Sequence, residues 1–381
     1  MSPTDSTDEH AALRILVRDF ANAEIAPHAE AWDRDHHFPV DVVQQMGKLG
    51  LFGLPFPEEY GGSGGDFTAL CIAIEELARV DHSMAITLSA AVGLGTTPIY
   101  LFGTEEQKQQ WLPDLCAGEA LAAFGLTESG GGSDAGSTKT AAALDGDDWV
   151  LDGEKTFITN SGTSITSVVT VTALTGPGEV STILVPAGTP GFTVEPPYRK
   201  MGWHASDTHG LAFAGARVPA SNLLGERGRG LASFLAVLDK GRIAISALAV
   251  GCIQACLDAS VEYAKSRNAF GRAIGANQAI AFKCADLRVL LETSRHLTYA
   301  AAALVDAGQP HKLEAAIAKV HSTEAAVTAT REATQIFGGY GFIDATPVAR
   351  FYRDAKILEI GEGTSEIQRL VIARALGLPV S

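Results

Sequence analysis

The chain has 381 residues, 46% of them hydrophobic, and its 44 acidic against 29 basic side chains give a formal net charge of -15. That length exceeds what one hydrophobic core usually serves, so two or three domains are expected. The acidic balance and the lack of any basic run exclude a nucleic-acid footprint, and the polar opening MSPTDSTDEH reads as neither a signal nor a transit peptide, which predicts a cytoplasmic protein.

Residues 1–120 read as an α-helical first domain, with apolar positions three and four apart in LRILVRDFANAEI and FTALCIAIEELARV. The uncharged run Ser83 to Gly103 contains Ser, Thr, Gly and Pro98, which predicts a buried helix and not a membrane span. Residues 121–228 change texture to short alternating runs such as WVLDG, KTFIT, SVVTVTAL and STILVPA between Gly, Asp and Pro, a middle β domain of sandwich or barrel type. From residue 229 to 381 long Ala-rich helical runs return, with lengths that suit an antiparallel helix bundle.

Several chemistries fail on context. Gly130, Gly132 and Ala135 have dinucleotide-fingerprint spacing, yet strand-like alternation follows them instead of a helix. No phosphate loop with a Gly-Lys-Ser/Thr ending occurs, and the nearest candidate region for a Gly-x-Ser-x-Gly nucleophile elbow, GGGSDAG, lacks the strand-to-helix setting. The five cysteines, Cys71, Cys116, Cys252, Cys256 and Cys284, sit in apolar surroundings and read as reduced core residues. Metal chemistry is not expected, because Cys252 and Cys256 lack a completing ligand pair and no Glu-x-x-His pairs occur in the helices. Near the C-terminus, EIGEGTSEIQR sets Glu362 between two glycines at a joint between helix-like runs, where Ser365 and Gln368 have the form of a capping box. Flanking glycines let backbone approach something flat and leave the carboxylate unscreened; the same pattern also serves as ordinary helix-cap chemistry.

Four stretches remain: FGLTESGGGSD, GEKTFITNSG, the pair SRNAFGRAIGANQA with QIFGGYGF, and EIGEGTSEIQR. With them in this order, the chain closely resembles the acyl-CoA dehydrogenase family of flavoenzymes over nearly its full length. The resemblance implies a helical N-terminal domain, a β-barrel middle domain and a C-terminal four-helix bundle, with FAD as cofactor and a homotetramer as the usual assembly. It also implies that Phe124, Leu126, Thr127 and Ser133 line the flavin ring, with Ser133 beside the thioester ligand. Phe157 and Thr159 pack an aromatic face and a hydroxyl against the ring; Phe157 stands where the family commonly has Trp. Arg267, Phe270, Gln278, Gln335, Gly338 and Gly339 match positions that hold the FAD pyrophosphate and adenosine, partly from a neighbouring subunit, and Thr364 and Glu366 match further flavin contacts.

Glu362 matches the family's catalytic base, which takes the α-proton while the β-hydrogen leaves as hydride to the flavin, and Gly363 is the backbone beside the acyl thioester. Some relatives carry the base on the helix corresponding to LDKGRIA, where this chain has Gly241, so Glu362 has no rival. Asp239 and Arg242 match substrate-side positions, with a structural ion pair as the bland alternative for Arg242. Gly361 stands where short- and medium-chain relatives often have Tyr, which predicts a wider pocket and a bulkier, branched or longer acyl group than butyryl. The expected acceptor is an electron-transfer flavoprotein. The alternatives are a dehydrogenase of a carrier-protein-bound acyl group, a relative that uses oxygen, and a non-enzymatic flavin or thioester binder, which the presence of Glu362 opposes.

Overall fold

The computed structural model of the chain describes residues 7–380, so the first six residues of the acidic opening stretch lie outside the described residues. The first domain comprises α1 (Asp8–Phe20), α2 (Ala29–Asp35), α3 (Val40–Lys48), α4 (Phe67–Ala78), α5 (His82–Ser89), α6 (Thr97–Phe102) and α7 (Glu105–Ala117). Every residue of α4 is buried. Its adjacent carboxylates Glu75 and Glu76 are therefore paired, with Arg14, Arg18 and Arg79 on one side and Arg295 and Tyr299 on the other.

The uncharged run forms one continuous buried helical stretch, His82–Phe102, in which a π-helical segment, Ala90–Thr96, joins α5 to α6. A Cβ on Gly95 would lie 2.1 Å from the Ala122 carbonyl oxygen, so backbone here packs directly on the first strand of the middle domain. Two segments are apolar enough to cross a membrane by length and composition, His82–Phe102 and Gly230–Ser266, but 78% and 83% of their most apolar windows are buried inside the protein.

The middle domain is built from β1 (Leu121–Gly125), β2 (Ala141–Asp145), β3 (Asp148–Thr159), β4 (Thr166–Gly176), β5 (Glu179–Pro186), β6 (Phe192–Val194), β7 (Thr208–Pro219) and β8 (Leu223–Leu224). They form one mixed sheet in the order β6-β7-β3-β2-β4-β5-β8, with β1 parallel to β4 beside that path. The end strands β6 and β8 do not pair, so the expected barrel is in fact an open sheet. A small core under it gathers Trp149, Leu151, Val171, Ile183 and Phe213.

The C-terminal region holds α8 (Gly230–Ser266), a short hairpin of β9 (Asn268–Ala269) and β10 (Arg272–Ala273), then α9 (Gln278–Asp306), α10 (Lys312–Phe337), α11 (Pro347–Ala355) and α12 (Ser365–Ala375). The three long helices pack on one another and α12 lies along α10, completing the four-helix bundle. The main core runs unbroken from α4 into α8, α9 and α10. Four of the five free cysteines are buried in it, whereas Cys284 is only half-buried.

Candidate active site

The stretch around Glu362 is a turn held in an uncommon shape. After α11 a 3-10 turn, Lys356–Glu359, leads into Gly361, and Glu362 and Gly363 both take left-handed backbone, at φ 53° and 90°. A non-glycine residue there costs on the order of 1 kcal/mol and persists only where its surroundings enforce it. The enforcing contacts are on the next peptide, where the Gly363 carbonyl accepts from Lys319 Nζ at 2.9 Å and from Gln368 Nε2 at 2.8 Å. A side chain at 363 would be strained by the φ of 90° and would have to displace the Gln368 amide, which a Cβ would meet at 2.7 Å. The expected Ser365–Gln368 capping box does not form. Thr364 is the N-cap of α12, accepting from the Ile367 N–H at 3.3 Å, and the Gln368 amide is occupied with the turn. Glu366 is exposed in the first turn of α12, where a backbone N–H holds its carboxyl below the ordinary range.

Glu362 as a residue is half-buried, but its Oε2 is out of contact with solvent and has no hydrogen-bond partner among the described residues. Burial therefore pushes the carboxyl up to about 7, against the opposing pull of the Lys319 and Arg242 charges. The tip of the side chain lies against α8 at Gly241, where a Cβ would sit 2.2 Å from Oε2. The Glu362 carboxylate thus stands where a side chain at 241 would begin, and glycine at 241 is what leaves room. Asp239 and Arg242 form a salt bridge one turn apart; Arg242 is buried and its Nε is unpartnered. At Gly361 a Cβ would meet only the Ile357 carbonyl, at 3.5 Å.

The predicted residues of FGLTES and KTFIT are brought together by hydrogen bonds between their stretches, among them one from Lys155 to Glu128. The Thr156 N–H donates to the Thr127 carbonyl at 2.8 Å, and Lys155 Nζ to the Leu126 carbonyl at 3.2 Å. Between Lys155 and Ile158 the pairing of β3 with β7 slips by a bulge, and Phe157 within it has φ 61°. Bulges re-aim side chains, and here the Phe157 ring is left 65% exposed, leaning on Tyr198 at 5.2 Å. Phe124 stacks on Phe234 of α8 at 3.9 Å, and Thr159 is half-buried at the end of β3. Ser133 is on an exposed loop, and no hydrogen bond or ion pair joins it to Glu362 among the described residues.

A third group lies at the far end of the bundle. Arg267, Gly338 and Gly339 line a cavity of about 450 Å³ together with Tyr263, Phe337 and Tyr340, and the Arg267 guanidinium lies 5.8 Å over the Tyr340 ring. A Cβ on either glycine would meet nothing within 4 Å. Phe270, in the turn between β9 and β10, is fully exposed. Gln278 opens α9 and Gln335 lies in the last turn of α10, but neither is among the residues lining the cavity.

Sequence reasoning did not single out Lys319, Glu128 or Lys155, and read Gln368 as a capping-box residue. Lys155 is buried beneath the FGLTES stretch and bonds Glu128 Oε1 at 2.7 Å and Thr172 Oγ1 at 3.0 Å, while Glu128 also accepts the N–H groups of Lys139 and Thr140. The available signal was a lone charged residue inside an apolar run for Lys319, within AAIAKV; Lys155 follows Glu154 in DGEKTFIT and gave no such signal.

A helical domain, a sheet domain and a helical bundle, with a buried carboxyl at the bundle and an exposed aromatic ring on the sheet, are the frame that comparison with known proteins assigns to a class. Family models for the N-terminal, middle and C-terminal domains of acyl-CoA dehydrogenase match residues 7–119, 123–216 and 228–377. A probable acyl-CoA dehydrogenase of Bacillus subtilis, YngJ, is 50% identical over 375 residues, covering 97% of this chain and 98% of the relative. The bovine mitochondrial short-chain specific acyl-CoA dehydrogenase is 46% identical, covering 96% and 89%. The solved structure of butyryl-CoA dehydrogenase from Megasphaera elsdenii superposes with a TM-score of 0.95 at 41% identity, covering 97% and 98%. The chain belongs to the acyl-CoA dehydrogenase family: it is an FAD flavoprotein and an oxidoreductase acting on acyl-CoA.

Proposed function

We propose that this enzyme converts an acyl-CoA thioester into its trans-2-enoyl thioester, with Glu362 as the base that removes the α-proton. The observation that carries the reading is the Glu362 carboxyl, whose Oε2 is buried without a donor and which is pushed up to about 7. A free glutamate titrates near about 4.3 and is too weak a base at neutral pH, whereas general bases work best with proton affinity near the operating pH. The left-handed backbone at 362 and the glycine at 241 fix where that carboxylate stands. The Glu362 backbone N–H makes no hydrogen bond among the described residues, leaving a donor free to polarise the thioester carbonyl and stabilise the developing enolate.

The residues present fit FAD. The exposed Phe157 ring offers a stacking face, the Thr127 carbonyl is tied to the neighbouring Thr156 N–H, and Arg267 lines a cavity together with Gly338 and Gly339. Phe124, Leu126, Thr127, Ser133, Phe157, Thr159, Thr364 and Glu366 would hold the ring end. Arg267, Phe270, Gln278, Gln335, Gly338 and Gly339 would hold the pyrophosphate and adenosine, the guanidinium fork suiting phosphate oxygens. When bound, FAD supplies the acceptor for the hydride that leaves the β-carbon. Asp239, Arg242, Ser133 and Gly363 would face the substrate. Full exposure of Phe270 on one chain supports the contribution of a neighbouring copy to the site, as in a homotetramer. Electron-transfer flavoprotein as acceptor and the cytoplasm as location complete the reading.

The open side of Gly361 supports an acyl group bulkier or longer than butyryl. An anaerobic titration of the yellow protein with a panel of straight and branched acyl-CoA thioesters, followed by flavin bleaching, tests both parts. Bleaching by at least one thioester is expected. No bleaching by any of them overturns the activity, and a tight preference for butyryl-CoA overturns the wide pocket.

A further inference from the structure

Lys319 lies in the middle of α10 with no exposed surface. A buried ammonium has to recover several kcal/mol of lost hydration, yet its one hydrogen bond goes to the Gly363 carbonyl at 2.9 Å. That carbonyl belongs to the residue after Glu362, and it is held from a second side by fully buried Gln368, whose amide also reaches the Glu362 carbonyl at 3.5 Å. No salt bridge within 4.0 Å joins Lys319 to Glu362 itself among the described residues. The cation is therefore bonded to the backbone of the turn and only neighbours the carboxylate.

We propose, on the reading of Glu362 as base, that Lys319 is a positioning residue: it clamps the Gly363 peptide so that the left-handed turn aims the Glu362 carboxylate, and it lends that carboxylate a positive charge without occupying it. The charged groups facing this pair are Arg242 from α8, Glu359 from the 3-10 turn and Glu324 from α10, and Arg242 is neutralised by Asp239. Lys319 is thus the cation near Glu362 that no carboxylate salt-bridges. Direct pairing would hold the carboxylate's lone pairs and weaken it as a base; a charge one peptide away favours the anion while leaving Oε2 open to a proton. Burial pushes Lys319 down to about 8, with Glu362 the main group pulling it back, so at neutral pH it carries its charge.

The test uses the FAD-loaded enzyme and the best thioester from the panel. The pH midpoint and limiting rate of anaerobic flavin bleaching are compared in wild type, Lys319→Met, Gln368→Leu and Glu362→Gln, with the protonated-carboxyl infrared band of Glu362 followed in parallel without substrate. Lys319→Met is expected to move both midpoints upward by about one pH unit, since a nearby opposite charge is worth that much, and to lower the limiting rate about tenfold through a loosened turn. Gln368→Leu is expected to lower the rate and leave the midpoints in place. If Lys319→Met does not fold, Lys319→Gln, which keeps a donor but no charge, must shift the midpoint. Failure of both to give FAD-bound protein, or unmoved midpoints with a wild-type rate, overturns the proposal and makes Lys319 structural. Wild-type bleaching by Glu362→Gln overturns the base assignment itself, which is a separate outcome.

Discussion

Glu128 in the middle domain and Glu362 in the helical bundle each have a buried lysine for a neighbour, Lys155 and Lys319. Burial pushes both carboxyls up, but at Glu128 the Lys155 ammonium and the N–H groups of Lys139 and Thr140 outweigh it and hold the carboxyl below its ordinary value. Glu362 feels two cations and receives a hydrogen bond at Oε2 from neither, because Lys319 donates to Gly363 and Arg242 to Asp239. The result is a carboxyl near 7 in one place and a fixed anion in the other. A buried glutamate becomes a base by being left without donors, and a lysine beside it does not by itself decide the matter.

The sharpest way to break this contrast is Glu362→Gln, expected to slow flavin bleaching by about a thousandfold, as loss of a general base does, while FAD stays bound. Stopped-flow reduction measures it. Next is Lys155→Met, which leaves Glu128 buried without its cation and should cost about 3 kcal/mol of stability, read as a lower urea midpoint. Gly241→Ala should then slow bleaching about a hundredfold by displacing the carboxylate, since the new Cβ would lie 2.2 Å from Oε2; unchanged circular dichroism would separate this from misfolding.

Opposite slopes of stability against pH follow from the same pair. Between about 4.5 and 7 the folded protein holds a proton on Glu362 that the unfolded chain has released, so this group's contribution falls as pH rises through that window. Glu128, depressed in the fold, contributes above the unfolded value and loses its contribution as pH falls through its folded value. Denaturation curves at a series of pH values should lose the first slope in Glu362→Gln and the second in Glu128→Gln. The smallest effect is expected for Gly361→Tyr, which should cut the preference for branched over butyryl thioester about tenfold, measured as the ratio of kcat/KM values.

The helical ends of the molecule were legible in the sequence because apolar spacing reports a buried helix face, as FTALCIAIEELA does for α4. The middle strands were legible from alternation, but whether their sheet closes depends on pairing between β6 and β8, which local pattern does not encode. Glu362 could be picked out by its glycines. Its lack of a donor could not, because that depends on Lys319 and Gln368 turning toward Gly363 from other parts of the chain. The capping box misled for a related reason: Gln368 satisfies the turn instead of the N-terminus of α12. Phe157 was legible as an aromatic in KTFIT, whereas the bulge that exposes it is visible only in the β3–β7 pairing.

The most direct measurement is a pH titration of the carboxyl infrared band, wild type minus Glu362→Gln, in the FAD-bound enzyme without substrate. A protonated-carboxyl band that disappears with a midpoint near 7 is the predicted result. A band already absent at pH 6, or one titrating at the ordinary glutamate value, would contradict the claim that an unpaired, buried Glu362 is the base.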